Sequence, residues 1–574
     1  MTDTTPECSK APAQGRAQGA TVAIVGAGPV GLSLALALAR QGVRSTVLER
    51  EPGTSERSKA PGIHVRTLEL FGQWGIDERC YQAGEHLSEV TLHDVDPRRR
   101  PLLSLDFSAL AVEADRPGLL LLEQGHTERL LLDAVRETGM CDVRFGAEAH
   151  ALEQGADAAR LGVLEDGDQW TLDAEYVVGC DGASSFVREA LGLPFDGLTY
   201  SLRPLLADVR LPRGDARNDL PWPRVEPRQG DYAFAVRLPG GLWRLVQLER
   251  ADPAKGEDVP DEHVQEVADK VLGPGVVEVV WSSLFRVHVR SSPRFRVGRV
   301  LLAGDAAHVH SPASGFGMNG GIQDAHNLAW KLAHTLAGGD AERLLDSYDA
   351  ERRAVIVEDV SRYTDRVTRT FLDAPAFVRT AAFFGTRQLL ARQQFRRRLL
   401  RRTAMLDLDY PAADSPLLHA DDRGAGLRLP NPRLRSPRGD DVRLYELLPV
   451  GPVLIDVAEE RAFATDLPLV DVIRVGSGGY AEPAGLLRAI AGGDGVMLVR
   501  PDAEAAGTSA DPIAFRGVST IAGTWYGIYI RTNSPENVFA HVIVDAAGAL
   551  NFSFHGLSAN NRFSGNTTDV VDNR

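Results

Sequence analysis

Short apolar runs alternate with an amphipathic stretch in the first part of the chain. Residues 21–25 form an apolar, β-rich run, a glycine turn follows, and residues 32–40 repeat apolar positions at helical spacing. A second short apolar run, residues 45–48, ends at Glu49. A strand, a glycine turn, a helix and a second strand in this order predict a βαβ unit, and therefore a parallel sheet.

The periodicity changes twice further along the chain. Between residues 204 and 289, alternating segments are broken by Pro and Gly, which predicts a separate sheet inserted into the first domain. Helical periodicity extends from Gly320 to about Arg402, and a Pro/Arg/Asp-rich stretch over residues 410–442 predicts a surface linker. Short apolar runs after this linker predict a small α/β unit, with an additional β element behind it.

Composition excludes several classes of function. The 574 residues include 63 Lys and Arg against 78 Asp and Glu, so the formal net charge is −15, which disfavours nucleic acids and anionic membranes as partners. The longest apolar runs, such as residues 119–122, are far shorter than the roughly 18 residues of a membrane-spanning helix. The first twenty residues lack an apolar signal core, and the four cysteines form no CxxC pair. We therefore expect a cytoplasmic protein with reduced thiols.

A dinucleotide-binding motif occupies the turn of the predicted βαβ unit. Gly26 allows the tight turn, Gly28 allows the backbone to approach a pyrophosphate, and Gly31 allows the helix and strand to pack closely. Glu49 ends the next strand, where an acid accepts the ribose hydroxyls of NAD or FAD. Arg50 either contacts the adenylate or is a solvated surface charge. The alternative interpretation is a glycine turn without a ligand.

A second motif selects between the two dinucleotides. An apolar run ends in Gly304 and Asp305, and a glycine-rich turn then leads into a helical pattern from Ile322. A carboxylate after a strand can hold a ribityl hydroxyl, and a helix N-terminus can stabilise negative charge on a reduced flavin ring. The motif therefore favours FAD. The residues expected to line the flavin are Pro312, Gly315, Gly317, Met318 and Asn319.

These motifs resemble those of the class A flavoprotein aromatic hydroxylases, of the phenol hydroxylase and polyketide hydroxylase type. The resemblance covers residues 21–331 and continues to about Arg353. Four ordered blocks carry it: residues 26–31 with the acid at 49 and the arginine at 50, 60–70, 179–188 and 304–331.

The resemblance assigns roles to three further positions. In that family an Asp-Gly motif, here Asp181-Gly182, touches the pyrophosphate and is linked to the use of pyridine nucleotide. Gln124 lies where the family has a glutamine on the ribityl chain, and Arg66 lies in the segment that wraps the flavin. Each has a structural alternative: a turn for the Asp-Gly motif, an exposed helix start for the glutamine, and for the arginine a position on the helix surface, paired with Glu69 or with the acid at position 49.

The resemblance implies an α/β fold: a Rossmann-like FAD-binding domain with an inserted β-sheet substrate domain and a C-terminal thioredoxin-like domain. The expected segments are a flexible leader (1–19), the FAD-binding domain in two parts (20–195, and 291–405 with long helices), the substrate-binding sheet (196–290), a linker (406–442) and the thioredoxin-like domain with an extra tail (443–574). No cysteine follows Cys180, so the last domain is expected to pack or dimerise, not to perform dithiol chemistry. A homodimer is one arrangement that this allows.

The resemblance also implies a reaction. NADPH or NADH reduces FAD, O2 forms a flavin C4a-hydroperoxide, and its distal oxygen is transferred to an electron-rich aromatic ring. The expected substrate is a phenolic or a polycyclic, polyketide-like compound, as in antibiotic biosynthesis. Two alternatives stay open: a Baeyer–Villiger or quinone-type flavin oxygenase that acts on a similar ring, and a non-catalytic FAD-binding scaffold protein.

Two departures from the family pattern concern the substrate. Many relatives have glutamine where this chain has Phe316, and phenol hydroxylase has an aspartate in the segment that holds Pro61. Because Pro61 cannot activate a phenol, a polyketide-type substrate is favoured. His64 in the same segment is a candidate proton acceptor near neutral pH, or else a structural histidine. The catalytic candidates are therefore His64 and Pro312.

The inserted sheet is expected to line the substrate pocket. Tyr232, Phe234, Trp243 and Gln247 are positional candidates, and alternation places Tyr232 and Phe234 on one face, as it would in an ordinary sheet core. No metal site is expected, because no carboxylate or cysteine completes a ligand set around the histidines.

Overall fold

The computed structural model describes most of the chain from residue 18 to residue 556. The residues outside the description are 1–17, 56–60, 201, 229–231, 251–258, 285, 312–314, 412, 419–424, 459–470, 477, 492–494, 504, 510–513, 518–527, 532–537, 545–549 and 557–574. Pro312 and nearly all of the expected leader therefore lie outside the described residues. The chain divides into two compact units, residues 1–333 with 345–414 and residues 334–344 with 415–574.

A mixed eight-stranded sheet forms the centre of the first unit. Its strand Gln18–Val25 pairs in parallel with Ser45–Glu49 on one side and with Asp168–Gly179 on the other. The next neighbours, Cys141–Phe145 and Val300–Leu302, are parallel as well. Parallel strands place their carboxyl ends at the same edge of a sheet. The antiparallel members are Ala147–Gln154, Ala159–Glu165 and Arg296–Val297.

Helix Pro29–Arg40 connects the first two strands, which confirms the predicted βαβ unit. Gly28 precedes the helix in an extended conformation, and Pro29 takes the first helical position, where its fixed φ suits a helix start. The helix ends where Gly42 adopts a φ of +77°. Its residues from Gly31 to Leu38 are buried, so the helix is packed within the unit along most of its length.

Shorter helices and two small sheets complete the part of the first unit that surrounds the eight-stranded sheet. Its other helices are Val65–Trp74, Asp77–Ala83, Phe107–Leu110, Gln124–Thr138, Phe186–Ala190 and Gly304–Ala306. One small sheet contains Gly62–Ile63, Glu85–Leu87 and Leu119–Leu121, and another contains Asp196–Thr199, His288–Ser291 and His308–Val309.

A separate seven-stranded sheet has one face on a helix and the other on an aromatic cluster. Its strands, in spatial order, are Glu278–Leu284, Leu202–Arg210, Leu242–Arg250, Ala233–Leu238, Arg224–Glu226, Glu89–Asp94 and Leu103–Asp106. Helix Asp261–Leu272 covers one face, with Leu245 and Val267 in the shared core. The last two strands come from residues before 196, so the sheet includes more of the chain than the expected segment 196–290. Short helical turns lie at Ala216–Asp219 and Pro239–Gly241.

A run of helices follows the last parallel strand. In chain order they are Phe316–Leu336, Ala341–Arg353, Ser361–Val367, Ala376–Leu390 and Gln393–Thr403. Wider π-helical turns, Ala354–Val360 and Thr368–Leu372, flank the third of them. This run confirms the predicted helical periodicity up to about Arg402. None of the described helices has an apolar window long enough to cross a membrane.

The second unit contains a four-stranded sheet with one parallel pair. Val453–Ala458 pairs in parallel with Asp471–Gly476 and antiparallel with Gly495–Val499, which in turn pairs with Ala505–Ser509. The unit also has the hairpin Arg433–Arg435 and Asp441–Arg443, and the helices Leu444–Leu447 and Leu486–Ala491. Four antiparallel strands follow: Ala514–Gly517, Ile528–Arg531, Val538–Val544 and Leu550–Gly556. A thioredoxin-like domain stays a prediction.

Candidate active site

Four motifs that are distant in sequence meet at the carboxyl edge of the parallel strands. The amide of Gly26 donates to the carbonyl of Leu48 at 2.7 Å, and the amide of Cys180 donates to the carbonyl of Val25 at 2.8 Å. The amide of Ala303 donates to the carbonyl of Gly179 at 2.9 Å. These backbone hydrogen bonds hold the glycine turn, the end of the Glu49 strand, the Asp-Gly motif and the Gly304 turn side by side.

The three glycines of the first motif differ in their surroundings. Gly26 has a φ of +106°, and a Cβ there would lie 2.4 Å from the carbonyl oxygen of Cys180. A Cβ on Gly31 would lie 1.9 Å from the carbonyl oxygen of Gly26. A Cβ on Gly28 would meet no described atom within 4 Å. Packing therefore requires glycine at the first and third positions, whereas open space lies at the middle one, beside the start of a helix.

Glu49 stabilises the same turn from the neighbouring strand. Its Oε2 accepts a hydrogen bond from the amide of Ala27 at 2.7 Å, and its Oε1 accepts one from the amide of Glu51 at 3.0 Å. The side chain of Arg50 is exposed, and its Nε lies 3.6 Å from Oε1 of Glu51. Glu49 therefore lies at the turn and Arg50 at the surface, and the contacts of both residues with a cofactor stay predictions.

The turn at Gly304 is held in place by a buried carboxylate, that of Asp324. Gly304 has a φ of +60°, and its amide donates to Oδ2 of Asp324 at 3.0 Å. A Cβ on Gly304 would lie 2.8 Å from Cγ2 of Val30, so the two glycine turns approach each other closely. Asp305, the next residue, is exposed at the end of the strand, which is the position expected for a carboxylate that binds a ribityl hydroxyl.

Asp324 is the centre of a buried charge cluster. It accepts hydrogen bonds from Nε2 of His308 at 2.6 Å and from Nε of Arg352 at 2.7 Å, and all three residues are at most 2% exposed. Burial by itself raises the pKa of Asp324, but His308 and Arg352 hold it below its ordinary value. Arg352 also donates to the carbonyl of Gly320 at 3.2 Å. The cluster therefore connects the Gly304 turn to the helix that follows it.

His64 and Asn319 connect the other side of the site. The amide of His64 donates to Oδ1 of Asn319 at 3.0 Å, and Nδ2 of Asn319 donates to the carbonyls of Gly62 and Gly315 at 2.9 and 3.0 Å. Asn319 is fully buried and His64 is 5% exposed. Gly315 has a φ of +68°, and a Cβ there would lie 3.3 Å from Nε2 of His64. The candidate proton acceptor therefore lies against the backbone that is expected to line the flavin.

The helix that begins at Phe316 presents its N-terminus next to this histidine. Gly317 and Met318 lie in its first turn, where backbone amides have no partner within the helix. Such a terminus carries a partial positive charge. The expected flavin-lining residues other than Pro312 are thus gathered at one helix start.

The Asp-Gly motif has a structural role in the described residues. Oδ1 of Asp181 accepts from Oγ of Ser185 at 2.6 Å, and Oδ2 accepts from the amide of Val187 at 3.1 Å, so the carboxylate caps helix Phe186–Ala190. Burial raises the pKa of Asp181 against the effect of these hydrogen bonds. Gly182 has a φ of +79°. The motif therefore forms the turn of its structural alternative, and its role towards pyrophosphate stays a prediction.

Arg188 ends the sequence block 179–188, and the sequence predicts no role for it. It is 4% exposed, and it donates to the carbonyl of Ala306 at 3.0 Å and to that of Ala183 at 2.8 Å. It therefore joins the Asp-Gly turn to the Gly304 turn. Asp324 lies in the block 304–331 and Arg352 in the helical stretch after it, but their ion pair is visible only in three dimensions.

Gln124 and Arg66 have protein partners. Nε2 of Gln124 donates to Oε1 of Glu128 at 2.9 Å, within the helix that Gln124 begins. Arg66 is 5% exposed, and its Nη1 lies 3.2 Å from Oε2 of Glu69. The ion pair with Glu69 matches the alternative given for Arg66, although it is buried and not on the helix surface. The flavin contacts of both residues stay predictions.

The four substrate candidates lie on two opposite faces of the inserted sheet. Tyr232 and Phe234 share one face, where their ring centroids are 5.9 Å apart, as alternation predicted. Trp243 is fully buried in the core shared with helix Asp261–Leu272, and Gln247 accepts from Nζ of Lys270 on the same helix at 3.3 Å. One pocket on this sheet therefore cannot contain all four side chains, because a strand alternates its side chains between faces.

These residues fit an FAD. The open space at Gly28 before a helix N-terminus suits a pyrophosphate, and the exposed Asp305 suits a ribityl hydroxyl. The helix start at Phe316 suits the edge of a flavin ring that becomes negative on reduction. No cluster of metal-ligating side chains occurs in the part of the chain that the structure describes.

Comparison with known proteins identifies the family. The sequence model of the FAD binding domain family matches residues 19–362 of this chain. The 12-dehydrotetracycline 5-monooxygenase/anhydrotetracycline 6-monooxygenase of Streptomyces rimosus is 32% identical over 524 residues, which cover 88% of this chain and 98% of that protein. The structure of an anhydrotetracycline hydroxylase from Streptomyces rimosus aligns with a TM-score of 0.68 at 31% identity, over 86% of this chain and 96% of that one. The chain belongs to the FAD-dependent aromatic monooxygenases, and its cofactor is FAD.

The family includes a protein with a different named reaction. The dialkyldecalin synthase of Streptomyces rugosporus is 30% identical over 518 residues, which cover 88% of this chain and 99% of that protein. The fold by itself therefore does not specify oxygen transfer, and the reaction has to be argued from the site.

Proposed function

We propose that the protein hydroxylates a phenolic or polycyclic, polyketide-like aromatic compound with NAD(P)H and O2. The observation that carries the proposal is the assembly of two glycine turns, Glu49 and the helix start at Phe316 around one carboxyl edge of the sheet. The similarity to an enzyme named for tetracycline intermediates supports a polycyclic substrate.

The chain's own residues would bind and orient the cofactor. The open turn at Gly28 would accept the pyrophosphate, Glu49 the ribose and Asp305 the ribityl chain. FAD, when bound, supplies the redox chemistry, taking a hydride from NAD(P)H and activating O2. The first turn of the helix that begins at Phe316 would stabilise negative charge at the ring edge.

His64 is the proposed proton acceptor for a substrate hydroxyl. His64 is 5% exposed and its ring lies against Gly315, so a proton would be taken in a site that excludes bulk water. Histidine is the side chain whose ordinary pKa is closest to neutral pH, which suits this exchange. Pro312 stays a proposed lining residue that lies outside the described part of the chain.

We propose that the substrate contacts the face of the inserted sheet that carries Phe234. Phe234 packs beside the cluster of Tyr232 and Phe383 but is only partly buried, which leaves part of its ring available. Trp243 and Gln247 are proposed to shape the sheet from its other side. A cytoplasmic location and a homodimer stay predictions.

The first experiment measures NAD(P)H oxidation by the FAD-loaded protein in air, with small phenols, polycyclic phenols and quinones as candidate substrates. The same reactions are then run under ¹⁸O2 and the mass of the product is recorded. This distinguishes oxygen transfer to the substrate from uncoupled oxidation of NAD(P)H. The expected result is that a polycyclic phenol accelerates oxidation and gains one ¹⁸O atom on its ring. Insertion of oxygen into a ring C–C bond would support the Baeyer–Villiger alternative instead.

A different outcome would favour a non-oxygenase role. If FAD binds but no compound accelerates NAD(P)H oxidation, the protein is a flavin-binding scaffold or, like the dialkyldecalin synthase by its name, catalyses a reaction other than oxygenation.

The variant His64→Gln, which keeps a hydrogen-bonding side chain of similar size, tests the proposed proton acceptor. We expect it to bind FAD normally and to lose the rise in kcat with pH that a titrating imidazole produces.

A further inference from the structure

The side chain of Phe316, the first residue of its helix, points into the protein and not towards the surface. Its side chain is 1% exposed, and its ring meets the imidazole of His64 edge to face, with centroids 5.2 Å apart and an interplanar angle of 79°. On its other side it stacks on Tyr363 at 5.8 Å and 16°. Phe316 thus lies between the proposed proton acceptor and a helix from another part of the chain.

The far end of this stack is held by charges. The guanidinium of Arg402 lies 5.5 Å from the centroid of the Tyr363 ring, within the range of a cation–π contact. Nη1 of Arg402 lies 2.6 Å from Oδ2 of Asp359, and its Nε lies 3.0 Å from Oδ2 of Asp407. The two carboxylates therefore hold the guanidinium beside the tyrosine ring, on which Phe316 stacks.

A second, independent contact joins the same helix to the segment before the glycine turn. Oγ of Ser311 lies 2.6 Å from Oγ1 of Thr368, and both residues are at most 2% exposed. Tyr363 and Thr368 belong to consecutive helical turns, Ser361–Val367 and Thr368–Leu372. The helical stretch therefore holds Ser311 by a hydroxyl pair and Phe316 by an aromatic stack.

We infer that Phe316 and Tyr363 are positioning residues, which brace the helix start and the His64 imidazole against displacement relative to the bound flavin. The inference rests on the proposed function and deepens it. Neither ring has to touch substrate, because the brace acts through the backbone at Gly315 and through the ring of His64. An aromatic pair suits this task, since aromatic rings favour offset-stacked or edge-to-face contacts and a close-packed interior leaves them little room to move.

If these aromatic contacts are weakened, we expect NAD(P)H oxidation to become uncoupled from hydroxylation of the substrate. FAD should stay bound. Tyr363→Leu removes the stacked ring but keeps an apolar side chain of moderate size. Because a displacement of about 1 Å at a reacting centre can cost up to ~100-fold in rate, we expect the fraction of oxidised NAD(P)H recovered as product to fall roughly tenfold. The remainder should appear as hydrogen peroxide, while the Kd for FAD stays within about twofold of wild type.

Three matched variants test the explanation. Tyr363→Phe retains the stacked ring and should couple as wild type, and Phe316→Leu should reproduce the defect of Tyr363→Leu. Phe71→Leu shortens another fully buried aromatic side chain, which packs on Trp74 with centroids 5.7 Å apart, and it controls for general destabilisation. Equal uncoupling in Phe71→Leu, or wild-type coupling in Tyr363→Leu, would overturn the brace.

A measurement without substrate separates this inference from the proposed function. The visible absorption band of bound FAD reports the surroundings of the flavin ring whether or not any compound is hydroxylated. We expect Tyr363→Leu and Phe316→Leu to shift that band, and Tyr363→Phe and Phe71→Leu to leave it unchanged. If the wild type hydroxylates nothing but the band shifts as expected, the proposed function fails and the brace stands; an unshifted band refutes the brace.

Discussion

Replacing Gly28 with alanine distinguishes a cofactor-binding turn from a purely structural one. Gly28 has a φ of −70° and a ψ of −178°, which an L-residue adopts without strain. A methyl group there meets no described atom within 4 Å. We therefore expect the free energy of unfolding of the apoprotein to stay equal or to rise by about 0.4–1 kcal/mol, because alanine restricts the unfolded chain more than glycine does.

The same methyl group would occupy the space assigned to the pyrophosphate. Loss of one hydrogen bond from a backbone amide to a charged phosphate costs roughly 1.5–3 kcal/mol. At about 1.4 kcal/mol per factor of ten, the Kd for FAD should rise by about 10- to 140-fold. Gly28→Ala is thus expected to leave folding intact and to weaken the cofactor.

Two titrations test this expectation. Urea unfolding of the apoprotein gives the change in stability, and quenching of FAD fluorescence gives the change in Kd. Gly31→Ala is the contrasting variant, because its Cβ would lie 1.9 Å from the carbonyl oxygen of Gly26, and it should lose both stability and FAD. Wild-type affinity in a stable Gly28→Ala variant would refute the assignment of this turn to the pyrophosphate.

Three further predictions concern buried charges and a thiol. Asp324→Asn should lower the free energy of unfolding by about 3–5 kcal/mol in urea titrations, because it leaves the guanidinium of Arg352 buried without its counter-ion; a loss below about 1 kcal/mol would contradict this. Burial raises the pKa of Asp407 to about 6, so its ionisation opposes folding, and Asp407→Asn should gain up to about 3 kcal/mol over wild type as the pH rises from about 4 to about 6. A constant difference across that pH range would show that Asp407 does not titrate there. Burial also raises the pKa of the Cys80 thiol to about 12, so it should react with dithionitrobenzoate at pH 8 only in urea, and fast labelling of the native protein would refute this.

The glycine turn shows what local sequence can predict. The spacing of Gly26, Gly28 and Gly31 between two apolar runs specifies backbone conformations and a strand–helix contact within a few residues. Glu49 is predicted in the same way, because the strand length alone brings it to the end of the neighbouring strand. Such features depend on short stretches of chain, and the structure places these residues where the pattern indicated.

For other residues the sequence predicts the position in the fold but not the residue that they contact. Asn319 binds the amide of His64, which is 255 residues away in sequence, and no periodicity records that contact. Phe316 departs from related sequences, but its burial between His64 and Tyr363 depends on a helix that follows later in the chain. Alternation correctly placed Tyr232 and Phe234 together, yet it could not show that Trp243 and Gln247 face helix Asp261–Leu272.

The sequence by itself determined the βαβ start and the FAD motifs, because backbone geometry at glycines and the alternation of apolar residues are encoded over short distances. The family followed from the resemblance of the ordered motif blocks to those of known flavoproteins. Only the tertiary structure decided which buried charges and rings meet, as at Asp324 with Arg352 or Phe316 with Tyr363. Those contacts join segments that approach each other only after the sheet and the helical run have packed. Their geometry is set by close packing and by the requirement that buried polar groups find partners, and these are properties of the whole fold.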